Sequence, residues 1–349
     1  MAAVTDSLAF LDAVEGLPEQ LAAAHCAAGE IDSARFPAAA EIDHVVVCGM
    51  GGSGISGDVL AAVTNDRLPV PVTVLKQYRV PRFVGSRTLV IAVSYSGGTE
   101  ETNSMAAAAL ERGACLIAIS TGGALGDLAT ASGSLHVPCP QGYLPRAALG
   151  ALIAPIFVTM MRTGLLPDAH KELIAAERQL QARRDQCAPS VVGADNPARE
   201  LARKIGRTFP LIYGGGALGA VAAYRWKCDV NENAKAPAYW HTYPELDHNE
   251  ICAWGQHGDV TRQLLTLVEL RHSFEHERLS PRFAATREII EEALHQVLEV
   301  RAEGDTRLAQ LLDLMYLGDW VSCYLALQND VDPGPIEAIF RLKDQLASS

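Results

Sequence analysis

The sequence predicts an α/β fold in two units, each a parallel sheet flanked by helices as an α/β/α sandwich, and three observations carry that prediction. Short β-branched runs alternate with Ala/Leu-rich stretches of helical length. The runs are continuously apolar rather than alternating, which marks strands buried on both faces, as a parallel sheet requires. An apolar strand, a glycine loop and a helix follow one another twice, at Gly49, Gly51 and Gly54 and again at Gly214, Gly216 and Gly219, 165 residues apart.

Taken in order, residues 1 to 43 read as an N-terminal helical region. "HVVVCG" (44 to 49), "VPVTVL" (70 to 75), "TLVIAVS" (88 to 94), "CLIAIS" (115 to 120) and "LHVP" (135 to 138) read as strands. "GISGDVLAAVTN", "TEETNSMAAAALERG" and "GALGDLATAS" are the helices between them. The stretch 150 to 188 reads as helical throughout and as a link between domains. A second unit begins at "TFPLIYGGGALGAVAAYRWKCD", continues through the strand "QLLTLVELR" (263 to 271), and ends in two long helices, "ATREIIEEALHQVLEVRA" and "DTRLAQLLDLMYLGDWVSCYLALQ". The expected division is a helical region at 1–43, a first domain at 44–165, a helical connector at 166–199, and a second domain with a C-terminal helix at 200–349.

With 349 residues, 49% of them hydrophobic, the chain can bury the cores of two domains. A formal charge of −12 without a basic block argues against non-specific binding to nucleic acid or to an anionic membrane. An anionic ligand must therefore be held by local donors. Eight cysteines without a C-x-x-C pair read as reduced, mostly buried thiols of a cytoplasmic protein. The N-terminus has no basic segment of the kind a signal peptide carries. The longest uncharged apolar stretch, 147 to 161, contains Pro155 and falls short of the roughly 20 residues that span a bilayer.

"VVVCGMGGSGISGD" (45 to 58) fits G-x-G-x-x-G. Glycines after a strand let the backbone approach a ligand, and the helix start that follows offers unpaired N–H groups, so the loop suits phosphate of any kind. A dinucleotide also needs an acidic residue at the end of the second strand. This sequence has Lys76 there, which counts against NAD and leaves an NADP-dependent oxidoreductase resting on the two G-x-G-x-x-G matches alone. "SYSGGTEET" (94 to 102) places the hydroxyls of Ser94, Ser96 and Thr99 around Gly97 and Gly98 just before a helix. Such donors bind a phosphate monoester without a cation.

These residues resemble a known family. "GMGGSGISGD" and "SYSGGTEET" are similar to motifs of the sugar isomerase (SIS) fold, and "NENAKAPAYWHTYPELDHNEI" (231 to 251) resembles the bifunctional phosphoglucose/phosphomannose isomerases. The likeness runs in order from residue 44 to the terminal "DPGPIEAIFRLKDQL". It implies two SIS-type domains, a homodimer with a shared active site, and interconversion of an aldose 6-phosphate with fructose 6-phosphate through a cis-enediol, without a metal or other cofactor. It assigns Glu232 as the base, His248 to ring opening from the partner subunit, Arg146 to the enediolate and Lys343 to the ring oxygen. Gly51, Gly52, Ser53, Ser94, Ser96 and Thr99 would line the sugar-phosphate site.

The residue types suit the chemistry, since a proton beside a carbonyl needs a carboxylate, and the enediolate a fixed cation or donor. Glu250 is a competing carboxylate. The loop "DVDPGPIEAI" (330 to 339) departs from the family in having Gly334 and no threonine, the residue associated with the mannose epimer. That leaves the aldose open. It also keeps a second reading in play, a non-catalytic sugar-phosphate-binding SIS protein. His272, Glu275 and His276 match H-x-x-E-H but follow a strand, and lack the context of a zinc site.

Overall fold

The computed structural model describes residues 5–347, so residues 1–4 of the expected N-terminal region and 348–349 of the expected C-terminal domain lie outside the described residues. In chain order the elements are α1 (Phe10–Glu15), α2 (Leu17–Gly29), β1 (His44–Cys48), α3 (Gly51–Thr64), β2 (Val72–Leu75), β3 (Thr88–Val93), α4 (Glu100–Glu111), β4 (Cys115–Ser120), α5 (Gly123–Ala131), β5 (Leu135–Pro138), α6 (Leu149–Arg162) and α7 (Ala169–Cys187). There follow α8 (Pro197–Ile205), β6 (Phe209–Gly215), α9 (Gly216–Asn233), β7 (Tyr239–Tyr243), α10 (Gly258–Leu264), β8 (Leu265–Arg271), α11 (Leu279–Ile290), β9 (Gln296–Arg301), α12 (Arg307–Gln328) and α13 (Glu337–Ala347).

The chain divides into two compact units. One takes Gly16–Ala182 with Glu303–Asp313, and the other takes the residues up to Glu15, Arg183–Ala302 and the chain from Leu314 onward. The first unit holds a five-stranded parallel sheet in the order β2-β1-β3-β4-β5. Val46, Cys48, Val90 and Ala92 point to one face, where Met105, Ala106 and Ala109 of α4 and Leu125 of α5 cover them. In this order the chain leaves β1 and β3 in opposite directions, which opens a crevice beyond their carboxyl ends, where α/β proteins bind ligands.

The second unit holds a four-stranded parallel sheet in the order β7-β6-β8-β9, packed on a core of Tyr213, Tyr243, Leu267, Phe283 and Ile290. No helix among the described residues is long and apolar enough to cross a membrane. Burial pushes the thiols of Cys48 and Cys139 up to about 12, while Cys26 and Cys252 are exposed.

Two expectations are corrected. The stretch 150 to 188 is not one helix, because Gly164 takes φ +80° and breaks it between α6 and α7. The run "ATREIIEEALHQVLEVRA" is helix only to Ile290. Its second half is β9, an edge strand whose alternating burial fits a sheet border. The edge strand β7, with Tyr239 and Trp240 exposed, has no counterpart in the sequence reading.

Candidate functional site

In the first unit, the loops after β1 and β3 meet at the crevice. Both glycine loops are built on close backbone approach. A Cβ on Gly54 would stand 2.7 Å from the Gly49 carbonyl oxygen, and one on Gly214 would stand 2.0 Å from that of Gly219. The glycines therefore let each helix start directly against its strand. The helix α3 begins after Met50, whose side chain supplies no cap, so its first N–H groups face the loop.

Hydroxyls join this loop to its neighbour. The Tyr95 N–H donates to Ser53 Oγ at 3.3 Å, and Ser94 Oγ lies 2.8 Å from Thr99 Oγ1. The Gly98 N–H donates to Ser96 Oγ at 3.2 Å. Ser94 is fully buried, Ser53 and Thr99 are half-buried, and Ser96 is exposed. Ser94 thus supports the loop from below and leaves the outer hydroxyls at the crevice.

The Tyr95 hydroxyl donates to the Pro140 carbonyl at 3.0 Å and accepts from the Tyr143 N–H at 2.9 Å, which ties down the segment leading to Arg146. Arg146 is buried in a 3₁₀ turn, Pro145–Ala147. The carbonyl oxygen of Pro145 is 3.6 Å from where a Gly52 Cβ would stand. The structure so brings Gly51, Gly52, Ser53, Ser94, Ser96, Thr99 and the Arg146 turn into one neighbourhood. Lys76 pairs with Asp58 of α3. Burial pushes the Asp58 carboxyl up and Lys76 pulls it back. The residue at the dinucleotide acid position is therefore engaged inside the unit.

In the second unit, Glu232 lies in the last turn of α9 and lines a cleft of about 470 Å³ with Asn231, Lys235, Asp332, Pro335 and Ile336. Arg225, Asp229 and Asn233, at helical spacing of four, face inward. The buried Arg225 lies 2.8 Å from Asp229 and 2.7 Å from Asp319 of α12. Asn233 donates to Ser322 Oγ at 2.9 Å. Burial pushes the Asp229 carboxyl well up, Arg225 opposes this, and the carboxylates of Asp319 and Glu232 push it further. Burial disfavours the charge on Arg225, but Asp229 and Asp319 outweigh it and raise the guanidinium.

His248 is exposed at the end of a 3₁₀ turn, Glu245–His248, and Lys343 is exposed on α13. Neither lines the Glu232 cleft, which takes residues 337 to 339 from the start of α13. Glu250 does not line the Glu232 cleft. It accepts from the Tyr213 hydroxyl, lies 3.9 Å from His241 Nε2, and lines another cleft of about 520 Å³ with Lys227, Tyr239, Trp240 and Trp254. In the H-x-x-E-H segment, His272 Nε2 is 2.9 Å from the Gly215 carbonyl and Glu275 pairs with Arg271 at 2.7 Å. His276 Nδ1 accepts from the Arg278 N–H at 3.1 Å.

Sequence reasoning missed the Arg225, Asp229 and Asp319 group. The signal was present: Arg225 and Asp229 are four apart in an Ala-rich helix, and Asp319 interrupts the apolar run of α12.

The sequence model described as the bacterial phospho-glucose isomerase C-terminal SIS domain matches residues 194–346. A bifunctional phosphoglucose/phosphomannose isomerase from Caldicellulosiruptor bescii is 37% identical over 338 residues, which cover 97% of this chain and 99% of that one. The enzyme of the same description from Aquifex aeolicus is 32% identical over 304 residues, 86% of this chain and 90% of its own. Among solved structures, the C-terminal domain of glucosamine-fructose-6-phosphate aminotransferase from Francisella tularensis superposes with a TM-score of 0.68, covering 93% of this chain and 97% of that one at 16% identity. That likeness speaks for the fold, two SIS-type α/β/α units.

Proposed function

The chain belongs to the bifunctional phosphoglucose/phosphomannose isomerase family, and from that premise we propose how its own residues isomerise a hexose 6-phosphate. Glu232 takes the proton from C2 of the open-chain aldose and returns it to C1, by way of a cis-enediol. Arg146 stabilises the enediolate oxygen. His248 moves the ring-hydroxyl proton during ring opening, and Lys343 assists at the ring oxygen. The hydroxyls of Ser53, Ser96 and Thr99 hold the phosphate together with the N–H groups that open α3 and α4. This donor set requires no cation, which suits an acidic protein with an anionic substrate. The observation that carries the reading is the hydroxyl-lined crevice beyond β1 and β3 in the first unit, whose donors suit a phosphate.

His248 is exposed, as a side chain given to a second copy would be, so the proposal includes a homodimer with a shared site. It also places the enzyme in the cytoplasm.

At position 334 a side chain has no room. A Cβ there would stand 2.9 Å from Leu8 Cβ, and the Gly334 N–H donates to Asp332 Oδ1 at 2.9 Å. The loop is therefore built around glycine, and any selection between epimers rests on other groups. The test is a coupled assay with glucose 6-phosphate and mannose 6-phosphate. Formation of fructose 6-phosphate from at least one is expected. Binding of both without turnover of either would favour the non-catalytic reading.

A further inference from the structure

Lys235 follows the end of α9 with φ +53°, a left-handed conformation that glycine adopts freely and a residue with a Cβ does not. Its side chain shows why a lysine stands there. The ammonium donates to the carbonyl oxygens of Asn233 at 3.2 Å, Asp332 at 2.8 Å and Pro333 at 3.2 Å. Three N–H donors meet three carbonyls. The charge also sits at the negative end of α9.

Two of those carbonyls belong to the segment between α12 and α13, which supplies the wall of the cleft facing Glu232. The same segment is fastened from its other side, where Asp332 Oδ2 accepts from the Ser7 N–H at 3.2 Å. One cation so joins the turn that carries Glu232 to the wall opposite it.

We propose that Lys235 is a positioning residue: its ammonium clasps the 332–333 backbone to the end of α9 and thereby sets the distance between Glu232 and the facing wall. This rests on the reading of Glu232 as the base. Lys235 does not touch the substrate in this role. Without the clasp the wall moves away, and a displacement of about 1 Å costs a reaction of this kind on the order of a hundredfold.

Two variants test it. Lys235→Met keeps the apolar stem and removes the donors, while Lys235→Gly also relieves the left-handed backbone and so protects the fold. In both, amide hydrogen exchange over residues 332 to 339 is expected to quicken at least tenfold, and kcat for hexose 6-phosphate to fall about 10- to 100-fold. KM is expected to change less than threefold, because the phosphate is held by the hydroxyl loop. Unchanged exchange in Lys235→Gly would overturn the clasp, and faster exchange with unchanged kcat would overturn its catalytic meaning. Failure of the base reading shows separately, as full turnover by Glu232→Gln.

Discussion

Glu232→Gln is expected to lower kcat for hexose 6-phosphate isomerisation by about 10³- to 10⁴-fold, while the dissociation constant of the sugar phosphate changes less than about threefold. The amide has the shape of the carboxylate but cannot accept the C2 proton. The proposed phosphate donors lie in the loops after β1 and β3, on other elements, so binding is expected to survive. The fold survives as well. The Glu232 carboxylate pushes Asp229 up but also favours the charge on Arg225, so its removal has opposing effects on the buried group. The urea midpoint should therefore stay nearly level. Kinetics and calorimetric titration on the same preparation check both halves. Unchanged turnover would move the base elsewhere, with Glu250 the first alternative.

Gly97→Ala is expected to lose about 2 to 4 kcal/mol of stability together with sugar-phosphate binding. Gly97 has φ +69°, and a Cβ there would stand 1.8 Å from the Gly122 carbonyl oxygen and 2.7 Å from its carbon. The clash is backbone on backbone, so only a separation of the loops after β3 and β4 relieves it. Gly97 also anchors that region, since its carbonyl accepts from the Leu125 N–H at 2.9 Å and from Asn103 Nδ2 at 3.2 Å. Gly51→Ala is the comparison. It too has positive φ, +52°, but nothing lies within 4 Å of its Cβ position. It should cost only the left-handed conformation, about 1 to 2 kcal/mol. Urea unfolding of the two variants separates collision from conformation, and equal midpoints would contradict the account of Gly97.

The strands of the first unit were legible almost to the residue because β1, β3 and β4 are central and buried on both faces, and glycine loops punctuate them. The edge strands of the second unit were not. β9 carries exposed Glu299 and Arg301 between buried Leu298 and Val300, and after "ATREIIEEAL" that alternation reads as the end of an amphipathic helix. β7 exposes Tyr239 and Trp240 and sits among the motif residues, which drew the reading toward chemistry. The candidate site was proposed from its residue types, because phosphate binding and proton abstraction restrict which side chains serve. Its supports were not legible. Ser94 lies beneath the surface, Arg225 depends on Asp319 from 94 residues away, and the Lys235 partners Asp332 and Pro333 are nearly a hundred residues on. Pairings of that separation leave no local pattern.

The measurement that bears most directly on the central claim is isomerisation of fructose 6-phosphate in deuterium oxide, followed by NMR at C2 of the aldose product. A carboxylate that carries the proton through an enediol exchanges a part of it with solvent before returning it, so the account predicts some deuterium at C2 from the wild-type protein and none above background from Glu232→Gln. Product formed at the wild-type rate by Glu232→Gln, with deuterium at C2, would contradict the assignment of Glu232 as the base that carries the proton.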